Sequence, residues 1–258
     1  MIAAAVLIVY SVFASCSTPT DAHGYLLHPM SRQYPCYRND DFWWPSDGSN
    51  IADGGCKSAY QYMYNKHGGN AFAAQYMFNQ YAEYAALAGT DFTNAEHIRN
   101  DVVPHQLCAA GANDTTKTFG DKSGIDIWWA PWSTTTLHIG VNKFVFCPTV
   151  IHEPSYFEVF ITNELYDYKD SIQWSDLDLI YNKSSIIEYN TDYEECENEK
   201  VYVLRVNVPY RSSKFVIYVR WQRRDIAGEG FYNCADAIIK ETSIVPAVVA
   251  TTEQHQEL

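Results

Sequence analysis

The sequence predicts a mostly β protein built as an antiparallel sandwich, with a long and partly helical insertion after its first strand. Hydrophobic residues make up 47% of the 258 residues, which is enough for a packed core. From Cys36 to about Ser123 the chain is irregular and rich in Gly, Asn, Asp and aromatic residues, and it follows a short strand and turn at 23–35. After Ile125 the segments rich in β-branched and aromatic residues have the spacing of sandwich strands. These segments are Thr136–Phe146, Tyr156–Thr162, Val201–Val208, Phe215–Trp221 and Phe231–Lys240.

Hydrophobic spacing predicts two helices within the insertion. The longer one covers roughly Asn70 to Leu87, with Gly89 placed to end it, and the shorter one covers Lys57 to Asn65. One face of the longer helix carries Phe72, Tyr76, Met77, Tyr84 and Leu87.

Alternation along one of the predicted strands indicates a single buried face. The residues Phe215, Ile217, Val219 and Trp221 alternate with Val216, Tyr218 and Arg220. No internal repeat or low-complexity linker divides the chain, so residues 23–242 are expected to form one domain. Residues 243–258 are expected to form a flexible polar tail.

The first 22 residues resemble a signal peptide. An apolar run from Ile2 to Phe13 is followed by small and polar residues that end in Thr20-Asp21-Ala22. The run is too short to favour a membrane span, so no integral membrane segment is expected. Cleavage before His23 would send the protein into the secretory pathway with His23 at its N-terminus.

The cysteine count agrees with secretion. Removal of Cys16 with the leader leaves six cysteines, which predicts three disulfides among fifteen alternative pairings. None of the six forms a CxxC pair, which argues against a zinc knuckle. Asn113-Asp-Thr and Asn182-Lys-Ser are glycosylation sequons.

Charge excludes one class of partner. The formal net charge is −13 and no basic cluster occurs, so nucleic acid is not an expected partner. The C-terminal sequence His-Gln-Glu-Leu shares its last two residues with KDEL-type signals. Secretion and retention in the endoplasmic reticulum therefore both remain open.

A histidine at the mature N-terminus offers two nitrogens to one metal ion, its α-amine and a ring nitrogen. A second histidine would complete a planar site of three nitrogens, which suits Cu(II). Cleavage before His23 therefore indicates a copper site.

Three motifs extend this interpretation. The first begins at His23-Gly24-Tyr25, the second runs from Cys147 through His152 to Ile161, and the third runs from Trp221 to Asp236. Together they resemble the type 4 chitin-binding family, the bacterial and viral lytic polysaccharide monooxygenases, and most closely its insect-virus spindle-protein branch, called fusolin or spindlin. Further matching segments are Asp40–Pro45, Asp101–His105 and Gly120–Gly124.

The resemblance implies an immunoglobulin/fibronectin III-like sandwich that carries a copper histidine brace. His23 and His152 would bind the ion, Phe231 would flank one axial side, and Val150 would crowd the other. Glu83 resembles the carboxylate that lies next to the ligands. An external electron donor with O2 or H2O2 would then support oxidative cleavage of crystalline chitin, as in a viral factor that disrupts insect chitin barriers. The branch also implies self-association into dimers or spindle crystals.

Other interpretations of the same residues stay open. A histidine on a strand is more often structural than a ligand, and Phe231 could be simple core packing. Asp225 and Glu229 could form a carboxylate pair like that of glycosidases, or only a polar rim. The whole protein could instead coat chitin without catalysis, or serve only as a structural spindle protein.

Overall fold

The computed structural model describes residues 22–40, 42 and 44–240. Two β-sheets face each other, and the segment between the first and third strands covers the outer face of the larger sheet. The predicted sandwich with a partly helical insertion after its first strand is therefore confirmed. The proposed signal peptide at 1–22 lies outside the described residues except for Ala22, and so does the tail at 243–258.

The smaller sheet is antiparallel throughout and has four strands. Their order across the sheet is β1, β4, β8, β7. The bounds are Gly24–His28 for β1, Gly140–Pro148 for β4, Ile186–Tyr189 for β7 and Lys200–Val208 for β8.

The larger sheet has six strands. Its order is β2, β10, β9, β5, β6, and β3 lies along the other end of β10 as the one parallel pair of the described residues. The bounds are Ala85–Leu87 for β2, Thr134–Leu137 for β3, Ser155–Thr162 for β5, Leu177–Lys183 for β6, Phe215–Arg223 for β9 and Glu229–Ile239 for β10.

The described residues of the insertion form three helices longer than one turn. Asp53 and Asn70 begin two of them, because their side chains accept backbone N–H groups of the first turn. The bounds are Gln33–Arg38 for α1, Gly54–Lys66 for α2 and Ala71–Asn79 for α3, followed by the single turn α4 at Ala95–His97, which continues into a π turn at Ile98–Val102.

The longer predicted helix is corrected by the structure. It ends at Asn79, and residues 85–87 form β2 instead, because they pair with β10 at Glu229–Phe231. Phe72 is 82% exposed and Leu87 is 52% exposed, so the expected apolar face does not exist as one buried surface. Pairing with the edge of a sheet outweighed helical periodicity here.

Strand β9 is buried on both faces rather than one. Residues such as Ile217 and Trp221 face the smaller sheet, and Tyr218 on the opposite face packs with residues of the insertion. The predicted strand Thr136–Phe146 is also two strands in different sheets. The chain turns between them at Gly140, whose φ is +95°, and the side chain of Asn142 bonds the turn.

Three disulfides link the six expected cysteines. Cys36–Cys56 joins α1 to α2, Cys108–Cys234 joins the insertion to β10, and Cys147–Cys196 joins the end of β4 to the segment before β8. Within the described residues, no helix has both the length and the apolar character that crossing a membrane requires.

Candidate metal centre

His23 lies directly before β1, at the end of the sandwich where β4 finishes. Gly24 pairs with Pro148 across the two strands. The backbone nitrogen of His23 donates to Oγ1 of Thr149 at 2.8 Å, and the backbone nitrogen of Thr149 donates to the carbonyl of His23 at 2.7 Å. These bonds fix His23 against the loop that leads to His152, so the two histidines belong to the same end of the sandwich.

Tyr202 of β8 holds the backbone of His152. Its hydroxyl accepts from the backbone nitrogen of His152 at 2.8 Å and donates to the carbonyl of the same residue at 2.9 Å. The ring nitrogen Nε2 lies 3.2 Å from Oδ2 of Asp225. Burial lowers the pKa of His152, the Arg223 guanidinium lowers it further, and Asp225 opposes both effects. The ring therefore favours its neutral form, which is the form that binds metals.

Glu83 follows α3 and lies beside the first histidine. Its Oε1 is 3.8 Å from Nε2 of His23, and its side chain is 22% exposed. Its other oxygen, Oε2, lies 3.7 Å from Nζ of Lys122, whose side chain is fully buried. The carboxylate therefore stands between an imidazole and a buried ammonium group.

Phe231 is fully buried where β10 begins. Its ring centroid lies 5.9 Å from that of His23 and 5.0 Å from that of Trp221, on which it stacks. Phe231 is thus both a core residue and a neighbour of the histidine. Val150, between Thr149 and His152, is 42% exposed.

One arginine holds two carboxylates, that of Asp225 in the loop between β9 and β10 and that of Glu229 at the first residue of β10. Arg223 Nε donates to Asp225 at 2.8 Å and its NH1 donates to Glu229 at 2.5 Å. Burial raises the pKa of Glu229, against the effect of Arg223. Two carboxylates that share one guanidinium form a structural ion cluster. The geometry therefore favours a polar rim made by Asp225 and Glu229 over a catalytic pair like that of glycosidases.

The donor set fits copper in its chemistry. Among residues 22–40, 42 and 44–240, no three His, Cys, Asp or Glu side chains form a metal-binding group. Two imidazoles are present, and a third nitrogen would come from the α-amine of His23 once the preceding peptide bond is cut. Three nitrogens of this kind suit Cu(II).

The sequence interpretation missed several residues that hold this arrangement. Thr149, Tyr202 and Lys122 were not singled out, and Asp225 was considered only for a glycosidase-like carboxylate pair or a polar rim. Thr149 lies inside the motif of His152, and Lys122 lies inside Gly120–Gly124, so the motifs contained a signal for these two. Tyr202 had no such signal, because its contact depends on strand pairing.

The chain is similar in sequence to viral and bacterial proteins. The chain is 44% identical over 253 residues to spindolin from Choristoneura biennis entomopoxvirus, which covers 91% of this chain and 74% of the spindolin. It is 29% identical over 229 residues to the chitin-binding protein CbpD of Pseudomonas aeruginosa, covering 83% of this chain and 47% of CbpD. The chain therefore spans about half of that bacterial protein.

Solved structures agree with the sequence relatives. The chain superposes on a structure of entomopoxvirus fusolin in complex with zinc, with a TM-score of 0.82 at 42% identity. That structure comes from work on the enhancement of virulence by fusolin and its in vivo crystallization into viral spindles. That match covers 92% of this chain and 82% of the fusolin chain. Residues 23–237 match the family described as lytic polysaccharide mono-oxygenase, cellulose-degrading. The chain belongs to the lytic polysaccharide mono-oxygenase family.

Proposed function

We propose that the protein, once cut before His23, binds one copper ion through His23 and His152 and oxidatively cleaves crystalline chitin. The observation that carries this proposal is the pair of hydrogen bonds that join the backbone of His23 to the side chain and the backbone of Thr149. They hold the future N-terminus against the loop that carries the second histidine. Any residue left before His23 would turn the amine into an amide and remove one ligand.

Copper would supply the one-electron redox chemistry that O2 or H2O2 requires. With O2, insertion of one oxygen atom into a sugar C–H bond consumes two electrons and two protons from a reductant and releases water. With H2O2, the same insertion releases water without further electrons. The hydroxylated carbon then forms a carbonyl as the glycosidic C–O bond breaks and the leaving oxygen takes a proton.

The protein's own residues hold the geometry. Thr149 and Tyr202 fix the backbones of the two histidines, and each bond limits how far a ring can move. Glu83 is placed to accept or orient a hydrogen bond beside His23. Phe231 has no atom that can coordinate a metal, so it would close one side of the site without binding the copper ion. Val150 would narrow access to the ion from the side of its loop.

Chitin is the substrate that the relatives' names support most directly. CbpD is called a chitin-binding protein, whereas the description of the matching family model refers to cellulose. Both polymers present flat crystalline surfaces, and the acetamido group distinguishes chitin. The substrate test therefore has to include cellulose.

To test this proposal, a chain that starts at His23 is incubated with copper, ascorbate and β-chitin. Oxidised oligosaccharides are then detected by mass spectrometry. We expect oxidised chitin products and few from cellulose. His152→Ala should abolish them, and His105→Ala, at an exposed histidine, should not. Binding to chitin without oxidised products would support a non-catalytic module, and products from His152→Ala would refute the proposed site.

A structural role in spindles is a second candidate. The work on fusolin describes its in vivo crystallization into viral spindles, and fusolin is 42% identical to this chain. Spindolin is 44% identical to this chain. The two roles are compatible, since a stored crystal can dissolve and release active protein. Microscopy of expressing cells should reveal spindle crystals. Protein that is found only in dispersed form, in the medium, would argue against storage.

A further inference from the structure

Lys122 is a fully buried lysine that the proposed chemistry does not use. Its ammonium group donates to the backbone carbonyl of Glu83 and lies 3.7 Å from Oε2 of the same residue. Three aromatic rings surround it, with centroids 5.6 Å away for Tyr76, 5.2 Å for Tyr84 and 5.9 Å for Phe119. Burial lowers the pKa of Lys122 to about 8, while Glu83 acts in the opposite direction.

The loop that presents Lys122 is closely packed at a glycine on each side of the lysine. Gly120 has φ of +65°, and a Cβ there would lie 2.5 Å from Cε1 of Tyr76. A Cβ at Gly124 would lie 2.6 Å from Cγ of Met63. Both glycines therefore permit close packing that a side chain would prevent.

The neighbouring residues of this loop are committed to other partners. Asp121 binds Lys66 at 2.6 Å and His67 at 3.0 Å, and it accepts the hydroxyl of Ser123 at 2.7 Å. Its charge is thus compensated within the insertion. Glu83 is the carboxylate that the described contacts place against Lys122.

We infer that Lys122 is a positioning residue, the buried counter-ion that holds the carboxylate of Glu83 in place and directed at His23. A buried ammonium needs a partner charge and hydrogen bonds, and Glu83 provides a carboxylate and a carbonyl. In return, Lys122 holds the backbone and the side chain of Glu83 at one position. The other carboxylate oxygen then faces His23, 3.8 Å from its ring. The pairing itself follows from the fold, and its effect on oxidation depends on the proposed function.

A double-mutant cycle in thermal unfolding tests the pairing without any metal. The four proteins are wild type, Lys122→Met, Glu83→Gln and the double variant. We expect Glu83→Gln to lower Tm by roughly 5 °C or more in wild type, because it leaves a buried ammonium without its anion. In the Lys122→Met background the same change should lower Tm by less than about half as much. Equal shifts in both backgrounds would overturn the inference.

Oxidised-product formation tests the positioning role. Lys122→Met should reduce the rate on β-chitin roughly tenfold while the protein stays folded, as expected for loss of a residue that orients another. Lys143→Met is the matched control, because Lys143 also pairs with a glutamate, Glu188 at 3.0 Å, but lies on β4. An unchanged rate for Lys122→Met together with strong coupling in Tm would show a structural pair without a positioning role. If wild type makes no oxidised products, the proposed function fails while the cycle still decides the pairing.

Discussion

His23 and Thr149 bond each other through both backbones and one side chain. The nitrogen of His23 donates to Oγ1 of Thr149 at 2.8 Å, the nitrogen of Thr149 donates to the carbonyl of His23 at 2.7 Å, and Oγ1 donates to the same carbonyl at 3.2 Å. The strand pair β1–β4 is thereby extended at one end by one residue on each strand, up to the proposed ligand.

Thr149→Val removes only the hydroxyl from this arrangement. We expect a loss of about 1 kcal/mol in the free energy of unfolding, since both hydrogen bonds of Oγ1 are lost at an exposed position. Copper affinity of the chain that starts at His23 should fall more clearly, by roughly tenfold, because the residue that orients a ligand is lost. Isothermal titration calorimetry measures the affinity, and Thr149→Ser should keep it near the wild-type value. Undiminished affinity for Thr149→Val would mean that this hydroxyl does not position His23.

The second prediction concerns the N-terminal amine. A chain that retains Ala22 with an acetylated N-terminus should bind Cu²⁺ at least roughly tenfold more weakly than a chain that starts at His23, because a peptide nitrogen replaces an amine ligand. Titration of both forms at the same pH measures the difference. A control pair in which both forms carry His152→Ala should each bind Cu²⁺ more weakly than the matching form with His152 intact. Equal affinity of the two forms with His152 intact would rule out the proposed use of the amine.

The third prediction concerns Arg223, which holds Asp225 and Glu229. Arg223→Met leaves two partly buried carboxylates without this guanidinium, and we expect a loss of about 3 kcal/mol in the free energy of unfolding. Chemical denaturation at neutral pH measures it. Arg38→Met is the comparison, since Arg38 and Glu195 are both about two-fifths exposed, and their pair should contribute about 1 kcal/mol or less. Similar losses for both variants would contradict the structural role given to the cluster.

The fourth prediction is a pH dependence that arises at His28. Burial lowers the pKa of His28 below its ordinary 6.5. As the pH falls, the unfolded chain therefore protonates His28 at a higher pH than the folded chain does. The free energy of unfolding decreases as the pH drops below about 6.5, and this decrease stops once the pH is below the pKa of His28 in the folded chain. His28→Gln should reduce the loss of unfolding free energy between about pH 7 and pH 5, and His105→Gln, at an exposed position, should leave it unchanged. An identical pH slope for wild type and His28→Gln would contradict the assignment.

Local pattern predicted the elements that are buried and regular. The bounds of strands β5, β8 and β9 lie within one or two residues of the expected ones. The β-branched and aromatic residues that predicted these strands are also the residues that the core buries. The short strands β6 and β7 were not expected, since they are largely exposed and their composition is mixed. Residues 85–87 were expected to be helical, and only their pairing with β10 made them a strand.

The sequence by itself determined the sandwich with its insertion, the six cysteines that pair, and the two histidines with Glu83, Val150 and Phe231 as candidates for one site. These follow from composition, from alternation and from motifs that are contiguous in the chain. Only the tertiary structure decided which cysteines are bonded, that β9 is buried on both faces, and that Thr149, Tyr202, Asp225 and Lys122 surround the candidates. The physical reason is that each of these contacts joins residues far apart in the chain, and their distance in space is set by strand register and packing rather than by local pattern.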